Sequence, residues 1–271
     1  VVQRRMPPWL AEDGCQEYRN DLSLQQTQID TISDWVEAGM PKGDASDAQH
    51  GTPLEAGSLD RVDFTLVPSQ AYTLQSDVSS DYRCFSIPWP LEYETFIRGL
   101  VFRPGRQDLV HHIVAYRLDG SYAQEIADVD DSDDIAGYDC PGGPGFVSWS
   151  SVDWLGSWEP GAVQGVYPNG LGVAVAPDSI VIMQVHYTPL ASGGGVDLST
   201  VDVQVEDEVE THGMFKPWAD PSWIFDETME IPAHTEGVEH EVRFTLEEGT
   251  EIHAVNLHMH LLGQSTHLSL M

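Results

Sequence analysis

The feature of this sequence that most restricts its fold is a series of short runs in which apolar residues alternate with other residues. Runs of this kind stand at 62–66, 96–102, 113–118, 181–187, 201–205, 242–246 and 252–261. Successive side chains of a strand point to opposite faces of a sheet, so a period of two predicts half-buried strands. Glycine and proline clusters separate the runs, as is typical of antiparallel β-sandwiches. We therefore predict a mainly β protein.

The first 45 residues have a different pattern and contain the one clear helix signal. Ser23 and Gln26 have the spacing of a capping box, and Gly39 with Pro41 is expected to end the helix. Apolar residues between them recur at helical spacing, at Ile29, Ile32 and Val36. The sequence therefore predicts a short amphipathic helix ahead of the β-rich part.

Two changes of composition predict where the chain divides. Residues 46–57 are rich in glycine, aspartate, serine and proline, which is typical of a linker. A second glycine-rich stretch, 191–196, separates two series of predicted strands. We therefore expect an N-terminal segment over 1–45, a first β domain over 58–192 and a second over 197–271.

Charge and cysteine content limit the classes of partner and of site. The chain of 271 residues carries 44 acidic and 12 basic residues, a formal charge of -32 that repels nucleic acid and anionic membranes. No window approaches the roughly 18 apolar residues of a membrane span. The acidic run 128–134 is predicted to be an exposed loop; it lacks the glycine and distal glutamate of an EF-hand, which leaves calcium binding open. Three cysteines predict one bridge and one spare thiol rather than a disulfide scaffold.

Three groups of histidines on predicted strands are the candidate metal ligands. His258 and His260 are two apart, so strand alternation places both rings on one face as a chelating pair. His186 ends another strand. His111 and His112 are adjacent, and on a regular strand they face opposite ways, so both can reach one metal only at a twist or a β-bulge. Imidazole is a common ligand of copper and zinc.

Four blocks of sequence carry a resemblance to a known family. They are DYRCFSIPWP (81–90), ETFIRGLVFRPGRQDLVHHIVAYRL (94–118), VIMQVHYTPL (181–190) and LHMHLLG (257–263). In order and context they resemble the copper type II, ascorbate-dependent monooxygenases over about residues 55–271, and several matched blocks are more specific than one histidine pair.

The resemblance implies two antiparallel, jelly-roll-like β-sandwich domains that each hold one copper ion. His111, His112 and His186 would bind the first copper. His258 and His260 would supply two of three ligands of the second copper; the family's third ligand is a methionine further downstream, so we expect the second domain to be incomplete in this chain.

The resemblance also assigns roles around the first copper. Tyr82 and Gln184 match positions beside it, where they would orient its ligands. Cys84 and Cys140 are expected to form the bridge, which an exported protein allows. The predicted protein is therefore secreted or periplasmic.

The implied activity is hydroxylation of a substrate C–H bond with O2 and two electrons from ascorbate or another external donor. Copper suits this work because it moves between one-electron states on histidine and thioether ligands. The substrate, a small molecule or a peptide, is not specified by the sequence.

The N-terminal segment has a resemblance of its own. RRMPPWL (4–10), followed by NDLSLQQTQIDTISDWVEAGMPKGD (20–44), which contains the predicted helix, is similar to the C-terminal half of a small cytochrome c domain, in which Met6 would be the axial haem ligand. No CxxCH is present in this chain, so haem c is expected only with an intact upstream domain. The alternative is a solvated linker helix.

Two other functions are compatible with the histidine pattern. One is a copper-binding or electron-transfer β-sandwich that does not catalyse oxidation. The other is a mononuclear hydrolase with zinc at His258 and His260. A cupin is not favoured, because its carboxylate is missing after His260.

Overall fold

The fold is described from a computed structural model of the chain. The described residues are 1–4, 23–47, 57–131, 134–145, 151–160, 162, 164–168, 170–189, 193–216, 218–220, 222–223, 226, 228–255, 257 and 262–269. They contain helices α1 (Gln26–Glu37) and α2 (Ala123–Asp130), with single 3-10 turns at Ala45–Asp47 and Gly120–Tyr122.

The described residues are mainly β, which confirms the prediction from alternation. The strands are β1 (Phe64–Leu66), β2 (Tyr72–Leu74), β3 (Asp81–Pro88), β4 (Thr95–Arg103), β5 (Val110–Leu118), β6 (Tyr138–Asp139), β7 (Asp153–Trp158), β8 (Gly165–Val166), β9 (Leu171–Val175), β10 (Ile180–Tyr187), β11 (Gly195–Asp197), β12 (Thr200–Glu206) and β13 (Thr211–Gly213).

These strands form two larger sheets and one small one. The first has the order β1-β12-β4-β9-β13, with β8 also beside β4; the second has the order β6-β3-β10-β5-β7; and β11 pairs with β2. All pairs are antiparallel except the parallel pair of β13 and β9. The antiparallel prediction is confirmed, while the jelly-roll arrangement stays a prediction.

Strand β10 is the central strand of the second sheet and the most completely buried one. Val181 to Tyr187 are all buried, between β3 on one side and β5 on the other. Full burial of a valine, isoleucine or methionine side chain contributes about 1.5–3 kcal/mol. The strand therefore gives a rigid support to any side chain at its end.

One face of this sheet carries a closed apolar cluster. Its buried members are Cys84, Val114, Tyr116, Leu118, Ile126, Tyr138, Cys140 and Ile182. The register aligns Gln184 with both Cys84 and Val114, and His186 with both Tyr82 and His112. Because side chains alternate, His186 lies on the same face as this cluster, at its end.

The N-terminal helix is present, but it starts later than predicted. Residues 1–57 together with 161–163 form one compact unit, and α1 lies within it. The backbone N–H of Gln25 donates to Oε1 of Gln28 at 2.9 Å, so the N-terminal cap lies two residues after the predicted one at Ser23. Gly39 follows the helix with φ 80°, a conformation that glycine adopts readily.

The predicted exposed loop at 128–134 was partly wrong, because α2 extends to Asp130. Ile126 of this helix is buried in the apolar cluster, and Tyr122 and Val129 pack against it at helical spacing. Packing of one apolar residue per turn stabilises this short helix, which its acidic composition does not indicate.

The sheets continue past the composition change at 191–196. Strands β11, β12 and β13 pair with β2, with β1 and β4, and with β9. Strand pairing thus assigns residues 195–213 to the same sheets as residues 64–187, and the extent of a second domain stays a prediction. Residues 242–246, predicted as a strand, are irregular, since a strand needs a paired neighbour and none lies beside them in the described chain.

None of the described helices combines the length and the apolar character that crossing a bilayer requires.

A disulfide joins β3 to the segment after β6. The sulfur atoms of Cys84 and Cys140 lie at bonding distance, with 5.9 Å between the Cα atoms, as the predicted pairing requires. Both residues are fully buried. The bridge therefore fixes the 140–145 turn against the sheet that carries His186.

We expect peptide mapping without reductant to recover Cys84 linked to Cys140. The bridge spans 56 residues of sequence, and a cross-link over that length stabilises by about 4 kcal/mol in the chain-entropy model. A Cys84→Ala/Cys140→Ala variant should lose about 2–5 kcal/mol of unfolding free energy in denaturant titration. Cys15→Ala is the control and should leave the linked peptide unchanged; free thiols at both positions would contradict the bridge.

Candidate metal centre

Three histidines from two neighbouring strands converge at one end of the second sheet. His111 and His112 come from β5 and His186 from β10, and one nitrogen from each lies within 4.8 Å of the others. The ring centroid of His186 is 4.9 Å from that of His111 and 4.8 Å from that of His112. In the described part of the chain, no other group of histidine, cysteine or carboxylate side chains is this close to sharing a metal.

A β-bulge lets the adjacent histidines reach the same point. His186 is aligned with His112, whereas Tyr187 is aligned with Val110, so the register shifts between them. His111 is the extra residue on β5, with no aligned partner on β10. A bulge adds twist and turns an extra side chain toward its neighbour's face. The local distortion that adjacent ligands require is therefore present.

The environment of His186 keeps its ring neutral and leaves one nitrogen available. Burial lowers the pKa of His186 to about 4, and the nearby His111 acts in the same direction while Asp81 opposes them. At neutral pH protons therefore do not compete for the ring. Its Nε2 lies 3.0 Å from Oγ of Ser80 and 3.1 Å from Oγ1 of Thr188, whereas its buried Nδ1 has no hydrogen-bond partner.

His111 and His112 form the more open side of the centre. Their Nδ1 atoms are 3.2 Å apart. His111 is exposed, His112 is half-buried and His186 is buried. The centre is thus held from inside by β10 and is reached from solvent at His111.

The three imidazoles fit a metal ion after a small movement. Metal–nitrogen bonds of about 2.0–2.1 Å place two ligand atoms roughly 3.3–4.1 Å apart, slightly less than the limit of 4.8 Å here. The buried Nδ1 of His186 has no hydrogen-bond partner, so a metal bound to it would satisfy it. Neutral imidazoles suit copper, zinc, iron and nickel alike, so the donor set fits copper without selecting it.

Tyr82 lies directly against the centre. It is aligned with His186 across β3 and β10, and the two rings stack with centroids 4.0 Å apart and planes 5° apart. Its ring centroid is 6.2 Å from that of His112. This stacking restrains the tilt of the His186 ring, as a residue that orients a ligand would do. The orienting role of Tyr82 itself stays a prediction.

Gln184 lies on the same face of β10 but contacts the disulfide turn. Its Nε2 donates to the carbonyl oxygens of Cys140 at 2.7 Å and Gly143 at 3.1 Å. The residue therefore connects the strand that carries His186 to the cross-linked loop. Its predicted role of orienting a ligand is untested by these contacts.

The sequence did not point to Ser80 and Thr188. Thr188 is two residues after His186, so strand alternation could have placed its hydroxyl beside the ring. Ser80 approaches from the segment before β3, and only the pairing of β3 with β10 brings it there.

Several predicted site residues lie outside the described part of the chain. Met6, His258 and His260 are among them, so the haem ligand and the second copper pair stay predictions. The acidic residues Asp130 and Asp134 line a small cavity with Phe85; exposed acidic groups are common without a cation, and no calcium site is inferred.

Comparisons with known proteins do not assign the chain to a family. No protein-family model matches the chain, and no curated protein matches it either. The sequence blocks and the geometry of the centre therefore carry the functional argument.

We expect His111→Ala, His112→Ala and His186→Ala each to lower metal affinity at this centre by at least about 100-fold, because each removes a bond and the support of the remaining ligands. Equilibrium dialysis followed by elemental analysis measures this. His267→Ala removes an exposed histidine and is the matched control. Loss confined to His186→Ala would show that the adjacent pair does not chelate.

Proposed function

We propose that this protein is a copper-dependent monooxygenase that hydroxylates a substrate C–H bond with O2 and two electrons from an external reductant. His111, His112 and His186 would hold the electron-transfer copper. The single observation that carries the proposal is the convergence of these histidines at the bulge between β5 and β10, where Nδ1 of His186 has no hydrogen-bond partner.

The position of the resembling sequence blocks supports this function. The block at 81–90 forms β3, the block at 94–118 forms β4 and β5, and the block at 181–190 forms β10. In the sheet, β3, β10 and β5 are adjacent. Blocks far apart in sequence therefore meet around one cluster of histidines, as expected if they were selected together for a common site.

Two features of the chain's own residues support electron transfer at this centre. A bound copper ion would supply one-electron redox chemistry. His186 stays neutral because it is buried, and the stacked ring of Tyr82 holds it in one orientation. A restrained ligand would move little between oxidation states, and the exposed His111 would give a small reductant access to the centre.

The remaining parts of the proposal come from the resemblance. His258 and His260 would bind the oxygen-activating copper in a second jelly-roll-like domain, and ascorbate or a haem c domain would deliver electrons. The substrate would be a small molecule or a peptide. The acidic composition and the buried disulfide suit a secreted or periplasmic protein.

A copper-binding or electron-transfer protein without oxidation chemistry is the second candidate. The described residues contain one group that can hold a metal, and one such centre is sufficient for electron transfer. Uptake of O2 separates the two functions.

We expect the copper-loaded full chain to show a Cu(II) electron paramagnetic resonance signal that ascorbate removes, because three neutral imidazoles accommodate both oxidation states. His186→Ala should lose the signal of this centre, and His267→Ala should retain it. Ascorbate-dependent O2 uptake coupled to a hydroxylated product would support the monooxygenase.

Three results would decide against it. A reducible centre without coupled O2 uptake would support the electron-transfer alternative. A protein that binds zinc but gives no reducible copper signal would contradict both. Uptake of O2 that persists in His186→Ala would show that the three-histidine centre is not involved.

A further inference from the structure

Two hydroxyl groups contact one nitrogen of the His186 ring. Oγ of Ser80 lies 3.0 Å and Oγ1 of Thr188 lies 3.1 Å from Nε2. The other nitrogen, Nδ1, is buried and has no hydrogen-bond partner. The two nitrogens of the same imidazole are thus in opposite situations.

These contacts distinguish the two tautomers of a neutral imidazole. With its proton on Nε2, the ring donates to a hydroxyl oxygen and leaves the lone pair of Nδ1 for a metal. With its proton on Nδ1, the ring would bury an N–H donor without an acceptor. Buried donors without partners are rare and costly, so the contacts favour the proton on Nε2.

We propose that Ser80 and Thr188 are positioning residues that hold the proton of His186 on Nε2 and thereby fix Nδ1 as the metal-binding atom. The inference rests on the proposed metal centre but does not depend on which reaction the centre serves. In a metal-binding histidine, the hydrogen bond made by the nitrogen that does not bind the metal sets the tautomer and the orientation of the ring.

The fold holds both hydroxyls in place from different segments. Thr188 follows β10 directly, and its backbone N–H donates to the carbonyl oxygen of Leu109 at 2.8 Å, which fixes it to the start of β5. Ser80 directly precedes β3, the strand whose Tyr82 covers one face of the same ring. The ring is therefore restrained by a stack on its face and by hydroxyls at one edge.

The tautomer can be measured in the metal-free protein. In 15N-labelled wild type at neutral pH, long-range 1H–15N correlation should show His186 with its proton on Nε2. The Ser80→Ala/Thr188→Val double variant removes both hydroxyls and should move the population toward the other tautomer. Ser80→Thr and Thr188→Ser keep a hydroxyl and should retain the wild-type pattern.

Zinc affinity gives the second measurement. We expect the double variant to bind Zn²⁺ about 10–100-fold more weakly than wild type, with each hydroxyl-retaining variant close to wild type. A wild-type ring with its proton on Nδ1, or a double variant that folds and binds Zn²⁺ as tightly as wild type, overturns the proposal.

The wild-type tautomer also decides the question if the double variant does not fold. Because it is read without metal, a failure of copper redox chemistry would contradict the proposed function and leave this inference standing. The reverse result, redox-active copper with the proton on Nδ1 in the metal-free ring, would remove the inference alone.

Discussion

The pairing of β10 with β3 and β5 is the constraint on which the candidate centre depends. β10 is buried along its length, so its register with both neighbours is fixed by packing on two faces. A shift of one residue would turn His186 to the other face and bury an apolar residue at the centre instead. The same register places Tyr82 and His112 beside His186, so one strand alignment positions a candidate ligand, its stacking partner and a second candidate ligand.

The bulge at His111 is the one departure from regular pairing that the centre requires. An unpaired residue in a ladder gives up hydrogen bonds, and here it brings a third imidazole to the end of the sheet. The neighbouring apolar cluster and the Cys84–Cys140 bridge stabilise the sheet around it. The distortion therefore lies at the edge of a rigid region, where its cost is offset by the packing of its neighbours.

Solvent exposure and hydrogen bonding differ between the histidines of the centre. His186 is covered and neutral, with hydroxyls at one nitrogen, whereas His111 is exposed to solvent. Asp81, which favours the protonated form of His186, is itself engaged by the hydroxyl of Tyr72. A highly acidic protein thus keeps a neutral imidazole inside a candidate metal site, because burial of the ring outweighs the nearby negative charge.

Periodicity in the sequence determined the strand content, because alternation of apolar residues reflects burial of one sheet face. It located the strands that carry His111, His112 and His186. It also indicated that the adjacent histidines could reach one metal only at a twist or a bulge. It did not find α2, whose buried Ile126 packs in the apolar cluster, and it predicted a strand at 242–246, which pairs with no strand among the described residues. Only the tertiary structure decided which strands are neighbours, since pairing depends on contacts between residues distant in sequence. For that reason the hydroxyl of Ser80, the stack of Tyr82 and the contact of Gln184 with the disulfide turn could be read only from the folded chain.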